Sequence, residues 1–596
     1  MPILLRALFV SLLLFLALSI STVVHADWIN LTGAETAPNI AEITVLDDRV
    51  RVVLEIYIRD IAVFKDLLSD DWLKKQAADR PPVAKRLKHF SADIFQIVTD
   101  DGTRLQADLK LAEPRLRKDR FSPFAGMINP TTRRRVPEAP KDKRVLFVEL
   151  EYPFEGKPKT LTFIPPTDDK GISSVTIGFI AYHKAVPIID FRYLSGKAKV
   201  TLDWTDPWYT KFKNPNLKRH HKSAMMSFLY VEPREVRHEV LIRVRDLQDW
   251  TDLGLSSGAT ITADEQATVK DLARAFLATR NLLEVDGVPV KPVSSRAAFL
   301  NISLTGLQVV EDEKPLDFST AIVGVILSYP VKHLPKHVRV KWDLFNERVE
   351  RIPTTITDPA GPLRSFVQTD DPLIEWQNYL LKYQEPKVSA VMLDDGRSIG
   401  IPVLSVLLMV IALGAALLAA GPAFLSRRIW ATVSALGVVA AVLLIRIAVV
   451  DVGNPFAGPP DEKVSAQILT RVLKNVNVAY LEKEPVAVRR ALGEIVAGDA
   501  LADVEVELGR ALTIKVAGGG IARVKAIENL TVKDITALEG VSGFRSVAEW
   551  TAIASGGHWG HAHRRKIRFR ALVELVEVAG VWKLAGITVV DVKQQS

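Results

Sequence analysis

Apolar and polar residues alternate through much of residues 27–390, and one alternating stretch occurs twice. Residues 51–61 and 237–247 both have the two-residue period of a half-buried strand. Each stretch ends in an Arg-Asp pair followed by an aliphatic residue, Arg59-Asp60 in the first and Arg245-Asp246 in the second. The pattern therefore predicts two related strands and is the first sign of an internal repeat.

Three further landmarks follow both strands in the same order. A helix-compatible stretch comes first, at residues 62–90 and 248–279, and then an Asp-Gly pair suited to a tight turn, at residues 101–102 and 286–287. Tyr-Pro and Pro-Lys pairs then recur at one spacing, at 152–153 with 158–159 and at 329–330 with 335–336. We predict tandem antiparallel β-sandwich modules with helical insertions, repeat 1 over 27–215 and repeat 2 over 216–390. The alternative is two unrelated β domains with similar strand patterns.

Two long apolar runs follow the repeats, separated by a short basic loop that contains Arg427 and Arg428. Residues 399–425 and 429–450 are each long enough, as helices, to cross roughly 30 Å of hydrocarbon. We predict a two-helix transmembrane hairpin; the alternative is a buried helical hairpin in a soluble core. Arg446 lies near the end of the second run, where it is expected to reach headgroups or Asp451, although a charge inside a membrane segment can also mark a functional site.

The first 26 residues have the pattern of a signal peptide. Arg6 precedes an apolar core at residues 7–19, and small residues around Ala26 fit a cleavage site, with an uncleaved anchor helix as the alternative. The basic loop between the two apolar runs predicts a cytoplasmic position for that loop. Together these features predict a protein of the bacterial inner membrane, with both large domains in the periplasm.

Residues 461–596 combine helical and strand patterns. Helical spacing covers 461–481, 485–496 and 500–512; a hairpin is predicted around residues 518–520, and strands at 543–555, 565–578 and 582–592. This order, with Trp550, the Gly-His-Trp-Gly-His turn at 557–561 and the final strand entry at 580–584, resembles the cone-shaped α+β fold of nuclear-transport-factor-like and SnoaL-like proteins. Members of that fold include enzymes, ligand binders and docking modules, so the resemblance implies a C-terminal α+β cone-like domain but no activity. No family resemblance covers the whole chain.

Composition narrows the possible functions. The chain has 596 residues, 77 Lys and Arg against 69 Asp and Glu, and a net charge of +8. Because the two signs of charge are interleaved, the sequence does not favour nucleic-acid binding, which needs a dense basic face. Cysteine is absent, which excludes disulfides and thiolate chemistry.

Two groups of residues are candidates for binding. His558, His561 and His563 surround a glycine turn and could hold a divalent metal such as zinc or copper, although the basic residues that follow would repel a cation. In the alternative interpretation these imidazoles cap backbone groups at the end of a sheet. Trp204, Trp208 and Tyr209 lie between the repeats, where they could contact a ligand or partner or simply pack between two domains.

No reaction is indicated by a catalytic motif. We therefore expect a non-enzymatic, membrane-anchored periplasmic scaffold or accessory protein of the bacterial cell envelope. It would act through contacts with envelope proteins and inner-membrane lipids, without a cofactor. The alternative is a periplasmic ligand- or metal-binding module with its site in the C-terminal domain.

Overall fold

The computed structural model describes residues 32–73, 79–120, 122, 124–130, 132–219, 223–255, 260–303, 306–310, 314–393, 398–421, 424–453, 458–512, 523–559 and 561–595. The predicted signal peptide and the predicted turn at residues 518–520 lie outside these ranges. The chain divides into two compact units. Unit 1 comprises Met1–Leu381 with His558–Ala562, and unit 2 comprises Lys382–Gly557 with His563–Ser596.

Module 1, the first β module of unit 1, contains two sheets with strand orders β4-β5-β2-β1-β7-β8 and β11-β10-β6-β3, and β9 pairs with β7. A short helix, α1 (Val83–His89), follows several single helical turns at residues 58–72. The strands are β1 (Asn39–Val45), β2 (Arg49–Tyr57), β3 (Gln96–Thr99), β4 (Asp108–Leu116), β5 (Arg144–Pro153), β6 (Thr160–Ile164), β7 (Ile177–His183), β8 (Val186–Pro187), β9 (Arg192–Tyr193), β10 (Ala198–Thr201) and β11 (Lys211–Phe212).

Module 2, the second β module of unit 1, has a larger sheet of order β18-β17-β20-β13-β12-β22-β23, a smaller sheet of order β16-β15-β21-β24, and the pair β14-β19. Its helices are α2 (Val244–Leu247) and α3 (Ala263–Leu277). Its strands are β12 (Met225–Glu232), β13 (Glu235–Arg243), β14 (Thr260–Ile261), β15 (Leu283–Val285), β16 (Val288–Val290), β17 (Ser294–Ser303), β18 (Gly306–Val309), β19 (Leu316–Asp317), β20 (Ile322–Pro330), β21 (His337–Lys341), β22 (Arg351–Asp358), β23 (Gly361–Gln368) and β24 (Leu373–Gln377).

The two modules have the same strand order. The path β4-β5-β2-β1-β7 in module 1 corresponds to β17-β20-β13-β12-β22 in module 2, and β3-β6-β10 corresponds to β15-β21-β24. The repeated alternating stretches form β2 and β13, and the Tyr-Pro pairs end β5 and β20. The sheets are not purely antiparallel, because β1 pairs with β7, and β12 with β22, in parallel.

In both modules an aspartate at the Asp-Gly turn contacts the Pro-Lys pair; it is Asp100, which precedes Asp101-Gly102, in module 1 and Asp286 of the pair itself in module 2. Asp100 Oδ1 accepts a hydrogen bond from the backbone nitrogen of Lys159 at 2.9 Å, and Asp286 Oδ1 accepts one from the backbone nitrogen of Lys336 at 2.8 Å. Each bond joins the turn after one strand of the smaller sheet to the start of the next. The spacing of these landmarks in the sequence therefore reflects a contact between neighbouring strands.

Each module buries one apolar core between its sheets. In module 1 the core joins Ile43 and Val52 of the larger sheet to Phe163 of the smaller one. In module 2 it joins Val240 of β13 to Val338 of β21. Along each strand the core residues occupy alternate positions, so the two-residue period of the sequence marks the face of the strand that is buried.

Unit 2 contains a helical hairpin, α4 (Val403–Ala419) and α5 (Phe424–Leu443), whose ends are joined by the antiparallel strands β25 (Ser398–Pro402) and β26 (Val449–Gly453). No helix within the described residues is both long enough and apolar enough to span a membrane. The predictions of a transmembrane hairpin and of an inner-membrane protein with periplasmic domains were therefore wrong.

The sequence predicted membrane-spanning helices because the apolar runs are longer than the helices that they contain. The ends of both runs belong to β25 and β26, which shorten the first helix to 17 residues, or about 26 Å. The second helix begins before its charged residues, so Arg427 and Arg428 lie within its first turns. The continuous apolar part that remains in α5 is about 22 Å long, less than the roughly 30 Å of a hydrocarbon core.

The C-terminal part of unit 2 packs three helices against a four-stranded antiparallel sheet of order β27-β28-β29-β30. Asp461 caps the first helix by accepting a hydrogen bond from the backbone nitrogen of Val464 at 2.7 Å. The elements are α6 (Glu462–Ala479), α7 (Pro485–Gly493), α8 (Leu501–Leu512), β27 (Arg523–Ala537), β28 (Gly543–His558), β29 (His561–Val578) and β30 (Val581–Gln595). The similarity to the nuclear-transport-factor-like fold stays a prediction.

Candidate functional site

The linker between the two modules forms a cluster of aromatic and arginine side chains, which we call the linker cluster: Asp206, Trp208, Tyr209, Arg219, Arg243, Arg245, Asp246 and Arg348. A single helical turn, Pro207–Tyr209, starts it. Asp206 caps this turn by accepting a hydrogen bond from the backbone nitrogen of Trp208 at 3.1 Å, and Pro207 occupies the first position, where no amide donor is needed.

A buried ion pair holds the centre of the linker cluster. Arg243 donates to Asp206 through both terminal nitrogens, at 3.0 and 2.5 Å, and through Nε to Asp246 at 2.6 Å. Arg243 and Asp206 are both fully buried. Burial opposes the charge on Arg243, but the hydrogen bond to Asp206 and the charge of Asp246 outweigh it and raise its pKa. Burial likewise opposes the charge on Asp206, but Arg243 lowers its pKa.

Trp208 lies between two guanidinium groups. Arg219 lies 4.0 Å from its ring centroid and Arg243 lies 4.9 Å from it. Arg219 donates to the carbonyl oxygens of Pro187 and Trp208, each at 2.7 Å, and burial lowers its pKa to about 10. Stacking of this kind is worth roughly 1–2 kcal/mol when desolvated. Trp208 is therefore part of the framework of the cluster, and its ring is not available to a ligand.

The other two linker aromatics have different positions. Trp204 packs on module 1, where its Nε1 donates to the carbonyl of Pro158 at 2.9 Å and its ring meets that of His183 edge-on at 4.7 Å. Tyr209 is half-buried, and its hydroxyl donates to Asp246 at 3.3 Å. Tyr209 lies beside Arg348, which reaches solvent, and the ring of Trp204 lies 5.8 Å from Nζ of the exposed Lys157.

Arg245 and Arg348 form the exposed edge of the linker cluster. Arg245 donates to the carbonyl of Thr205 at 2.8 Å, and Arg348 lies 5.6 Å from the ring centroid of Tyr209. Both guanidiniums approach Asp206 Oδ2, at 3.7 Å for Arg245 and 3.6 Å for Arg348. These distances are too long for hydrogen bonds. The carboxylate of Asp206 is held instead by its hydrogen bonds to Arg243.

A second buried feature of unit 1 lies on the outer face of the larger sheet of module 2. Trp559, only 2% exposed, packs there with Phe228, Leu241, Leu300 and other apolar residues. A side chain at Gly324 of β20 would come within 2.7–2.8 Å of Leu300, Leu241 and Trp559 Nε1, so a residue without Cβ is required beneath the indole. We call this surface the Trp559 socket.

A buried carboxylate fixes the backbone of the tryptophan. Glu239 of β13 is fully buried and accepts hydrogen bonds from the backbone nitrogen of Trp559 and from Arg237 Nε, the latter at 2.7 Å. Burial raises the pKa of Glu239, and Arg237 only partly opposes this shift. Trp559 itself has a positive φ of 48°, a conformation uncommon for a bulky residue and here held by its surroundings.

One of the three histidines proposed as metal ligands, His558, directly precedes this tryptophan in the chain. His558 is buried, and its ring meets the indole of Trp559 edge-on at 4.4 Å. The side chains of His561 and His563 lie outside the described residues. Among the described side chains, no group of three or more His, Asp or Glu could hold a metal ion. Metal binding by these histidines stays a prediction.

The three arginines of the predicted hairpin are exposed. Arg427 Nε donates to the carbonyl of Ala419 at 2.8 Å, which links the start of α5 to the end of α4. Arg428 lies in the same helix, and Arg446 lies in the turn that follows it. These three arginines belong to unit 2, whereas the linker cluster belongs to unit 1.

His238 in the core of module 2 gives unit 1 a predicted pH dependence. It is fully buried, its Nε2 lies 3.0 Å from Ser227 Oγ, and burial lowers its pKa from 6.5 to about 4. Between these values the unfolded chain takes up a proton that the folded chain does not. We expect the free energy of unfolding to fall by on the order of 3 kcal/mol as the pH drops from 6.5 to 4, with full stability above pH 6.5.

Urea unfolding of the full chain at a series of pH values measures this dependence. His183 of module 1 is also buried with a pKa near 4, so His238→Asn will reduce the pH dependence without abolishing it. His89→Gln removes a half-exposed imidazole and serves as the comparison for a histidine outside the cores. An equal pH dependence in His238→Asn and wild type would contradict the assignment.

One cavity inside the C-terminal α+β layer is very small. Trp550 and Phe569 stack with centroids 5.3 Å apart, and the cavity beside them measures about 10 Å³. That volume holds about one water molecule. This cavity is too small for a small-molecule ligand, and the ligand-binding alternative stays a prediction.

An open groove lies on the outside of the same layer, between α6 and β27. It has a volume of about 630 Å³, and we call it the α6–β27 groove. Its lining includes Lys463, Gln467, Thr470 and Arg471 from one face of α6, and residues 530–533 of β27. Neither this groove nor the Trp559 socket was found from the sequence, because both depend on residues brought together from distant segments.

The buried charges were also missed, although a signal for one of them existed. Asp246 belongs to the repeated Arg-Asp pair, and its counterpart Asp60 accepts a hydrogen bond from Asn39 at 2.6 Å. In both modules the Asp therefore follows the same strand and binds a buried donor. Glu239 gave no such signal, since its position in the alternating pattern does not distinguish the buried outer face from solvent.

Comparison with known protein families gives no match to any family model. Comparison with curated proteins gives no match either.

Proposed function

We propose that this protein is a non-enzymatic scaffold that acts through protein–protein contacts. The observation that carries this proposal is the α6–β27 groove, an open surface of mixed polar and apolar residues. Ligand sites for small molecules are enclosed and mostly apolar, whereas a groove along the rim of a sheet suits an extended segment of another protein.

The charges of the groove indicate the chemistry of its partner. Lys463 and Arg471 of α6 and Lys533 of β27 outnumber Glu462 among its lining residues. β27 is the first strand in the sheet order, and its register with β28 shifts at three places, which interrupts the regular edge. An irregular edge disfavours uncontrolled strand pairing, so the side chains would select the partner. We expect an extended segment that carries acidic residues.

The buried titratable groups support a scaffold over an enzyme. Glu239, Asp206 and Asp246 are each held by an arginine within a framework contact. His238 is enclosed in a core, and the cavity beside Trp550 is nearly filled. Perturbed groups of an active site usually face a cleft, and these groups face packed side chains.

Site-specific photo-crosslinking in cells tests the proposal. A photo-reactive residue at Gln467, which is exposed in the groove, should give one discrete protein adduct whose crosslinked segment is extended and acidic. The double charge reversal Arg471→Glu/Lys533→Glu should reduce that adduct at least tenfold. Attraction between unlike charges at the groove becomes repulsion in this variant.

The matched control reverses two exposed lysines away from the groove, Lys566→Glu on β29 and Lys593→Glu on β30. This control should leave the adduct unchanged. The proposal fails if no discrete adduct forms at Gln467, if its partner segment is not acidic, or if both double variants lose it equally.

A further inference from the structure

We propose that the exposed edge of the linker cluster is a binding site for an oxyanion, a phosphate or carboxylate group held between Arg245 and Arg348. The site lies in unit 1 and is independent of the α6–β27 groove. Arg348 is about half exposed, with 48% of its side chain accessible, and Arg245 is partly exposed at 31%. Both side chains can therefore meet a solute from the solvent.

The two guanidiniums converge on one point. Arg245 Nε lies 3.7 Å and Arg348 Nη1 lies 3.6 Å from the same oxygen, Asp206 Oδ2. The two nitrogens are therefore no more than about 7 Å apart. An oxyanion with two or more acceptor oxygens can receive hydrogen bonds from both groups at such a separation, and arginine is the residue best suited to that geometry.

Asp206 forms an ion pair with each arginine but a hydrogen bond with neither. Its Oδ1 accepts from Arg243 and from the backbone nitrogen of Trp208, and its Oδ2 accepts from Arg243 at 2.5 Å. Arg348 makes no side-chain hydrogen bond within the part of the chain that the structure describes, and Arg245 makes one, to the carbonyl of Thr205. Several N–H donors of this pair thus remain available at the surface.

The local charge favours an anion. Arg243, Arg245 and Arg348 share two carboxylates, Asp206 and Asp246, which leaves an excess of positive charge at the cluster. Arg243 cannot move to compensate, because it is fully buried and bound to both aspartates. A fixed positive field with flexible donors at its edge attracts and then holds an anion.

The half-buried ring of Tyr209 forms one wall beside the site, with Arg348 5.6 Å from its centroid. The ring restricts the positions open to the Arg348 side chain and shields one side of the site from water. The alternative to a binding site is that both arginines are ordinary solvated charges near Asp206. In that case an added oxyanion would act only through ionic strength and would not depend on these two residues.

The test uses the full chain and isothermal titration with inorganic phosphate and with acetate at constant ionic strength, set with chloride. We expect saturable binding of both, with phosphate tighter because of its higher charge. Arg245→Gln/Arg348→Gln should weaken phosphate binding at least tenfold. Arg274→Gln/Arg351→Gln, which changes two other exposed arginines of module 2, should leave it unchanged.

Arg245→Lys/Arg348→Lys covers the case in which the glutamine variant folds poorly. Lysine keeps the charge but loses the planar fork, so phosphate binding should weaken severalfold while thermal stability stays near that of wild type. Phosphate and acetate signals no larger than that of chloride would overturn the proposal. Binding that is equal in wild type and in the folded lysine variant would also overturn it.

Discussion

Replacing Asp206 by Ala will lower the free energy of unfolding of unit 1 by about 3–5 kcal/mol, because the change leaves the buried charge of Arg243 without its main partner. Arg243 is fully buried and donates two of its hydrogen bonds to Asp206. Asp246 retains only the bond to Nε. The cap on the turn Pro207–Tyr209 is lost as well, since Trp208 donates to the same carboxylate.

Hydrogen exchange of the β12 and β13 amides in the full chain measures this loss in unit 1 specifically. Asp48→Ala is the matched control, because Asp48 pairs with Arg49 at an exposed position and such pairs contribute at most about 1 kcal/mol. Similar losses in Asp206→Ala and Asp48→Ala would show that the buried ion pair is not a structural element.

Replacing Trp559 by Ala will destabilise unit 1 by about 3–5 kcal/mol, through lost burial and the cavity left in the Trp559 socket. The indole is 2% exposed and belongs to an apolar cluster with residues from five strands of module 2. Gly324 lies beneath the indole and has no side chain that could turn into the space left by its removal. Glu239 also remains buried while the peptide group that donates to it becomes free to move.

Thermal unfolding followed by circular dichroism, together with hydrogen exchange of β20, measures the effect of Trp559→Ala. Trp72→Ala is the control, since Trp72 is 40% exposed and its loss should cost well under half as much. Gly324→Leu should reproduce part of the loss, because its side chain would occupy the place of the indole. Wild-type protection of β20 in Trp559→Ala would contradict the assignment.

The sequence predicted the C-terminal helices well because each has a clear start and a continuous apolar face. Predicted helices at 461–481 and 500–512 compare with Glu462–Ala479 and Leu501–Leu512. β27 was largely missed, although it has 15 residues. Three register shifts break its alternation, and Asn529 and Asp534 take positive φ values within it. A strand interrupted in this way does not keep a two-residue period.

For β27 the error was to miss a strand, whereas for the helical hairpin it was to predict helices that are too long. Apolar composition alone does not reveal where a helix stops, and the ends of the two runs form β25 and β26 instead. β-branched residues such as Ile399 and Val449 suit strands as well as membrane helices, so these positions were ambiguous. The length of an apolar run therefore overestimated the length of each helix.

The candidate sites were predictable only in part. Aromatic residues in the linker pointed to Trp208 and Tyr209, but their arginine partners come from positions up to 139 residues away, since Arg348 lies beside Tyr209. Contacts over such separations depend on tertiary structure, and no local pattern encodes them. The Gly-His-Trp-Gly-His turn was recognised for its histidines, but its tryptophan is the residue that packs into the apolar cluster of module 2.

Because His558–Ala562 complete unit 1, the boundaries of that unit cannot be found by cutting the chain once. A recombinant fragment ending at Leu381 would lack Trp559, and the apolar residues of β13 and β20 in the Trp559 socket would be exposed to water. Such a fragment would need a short synthetic peptide carrying the missing turn, added in trans, to regain full resistance to proteolysis. Limits for expression or deletion experiments should be drawn with that non-contiguous piece in mind.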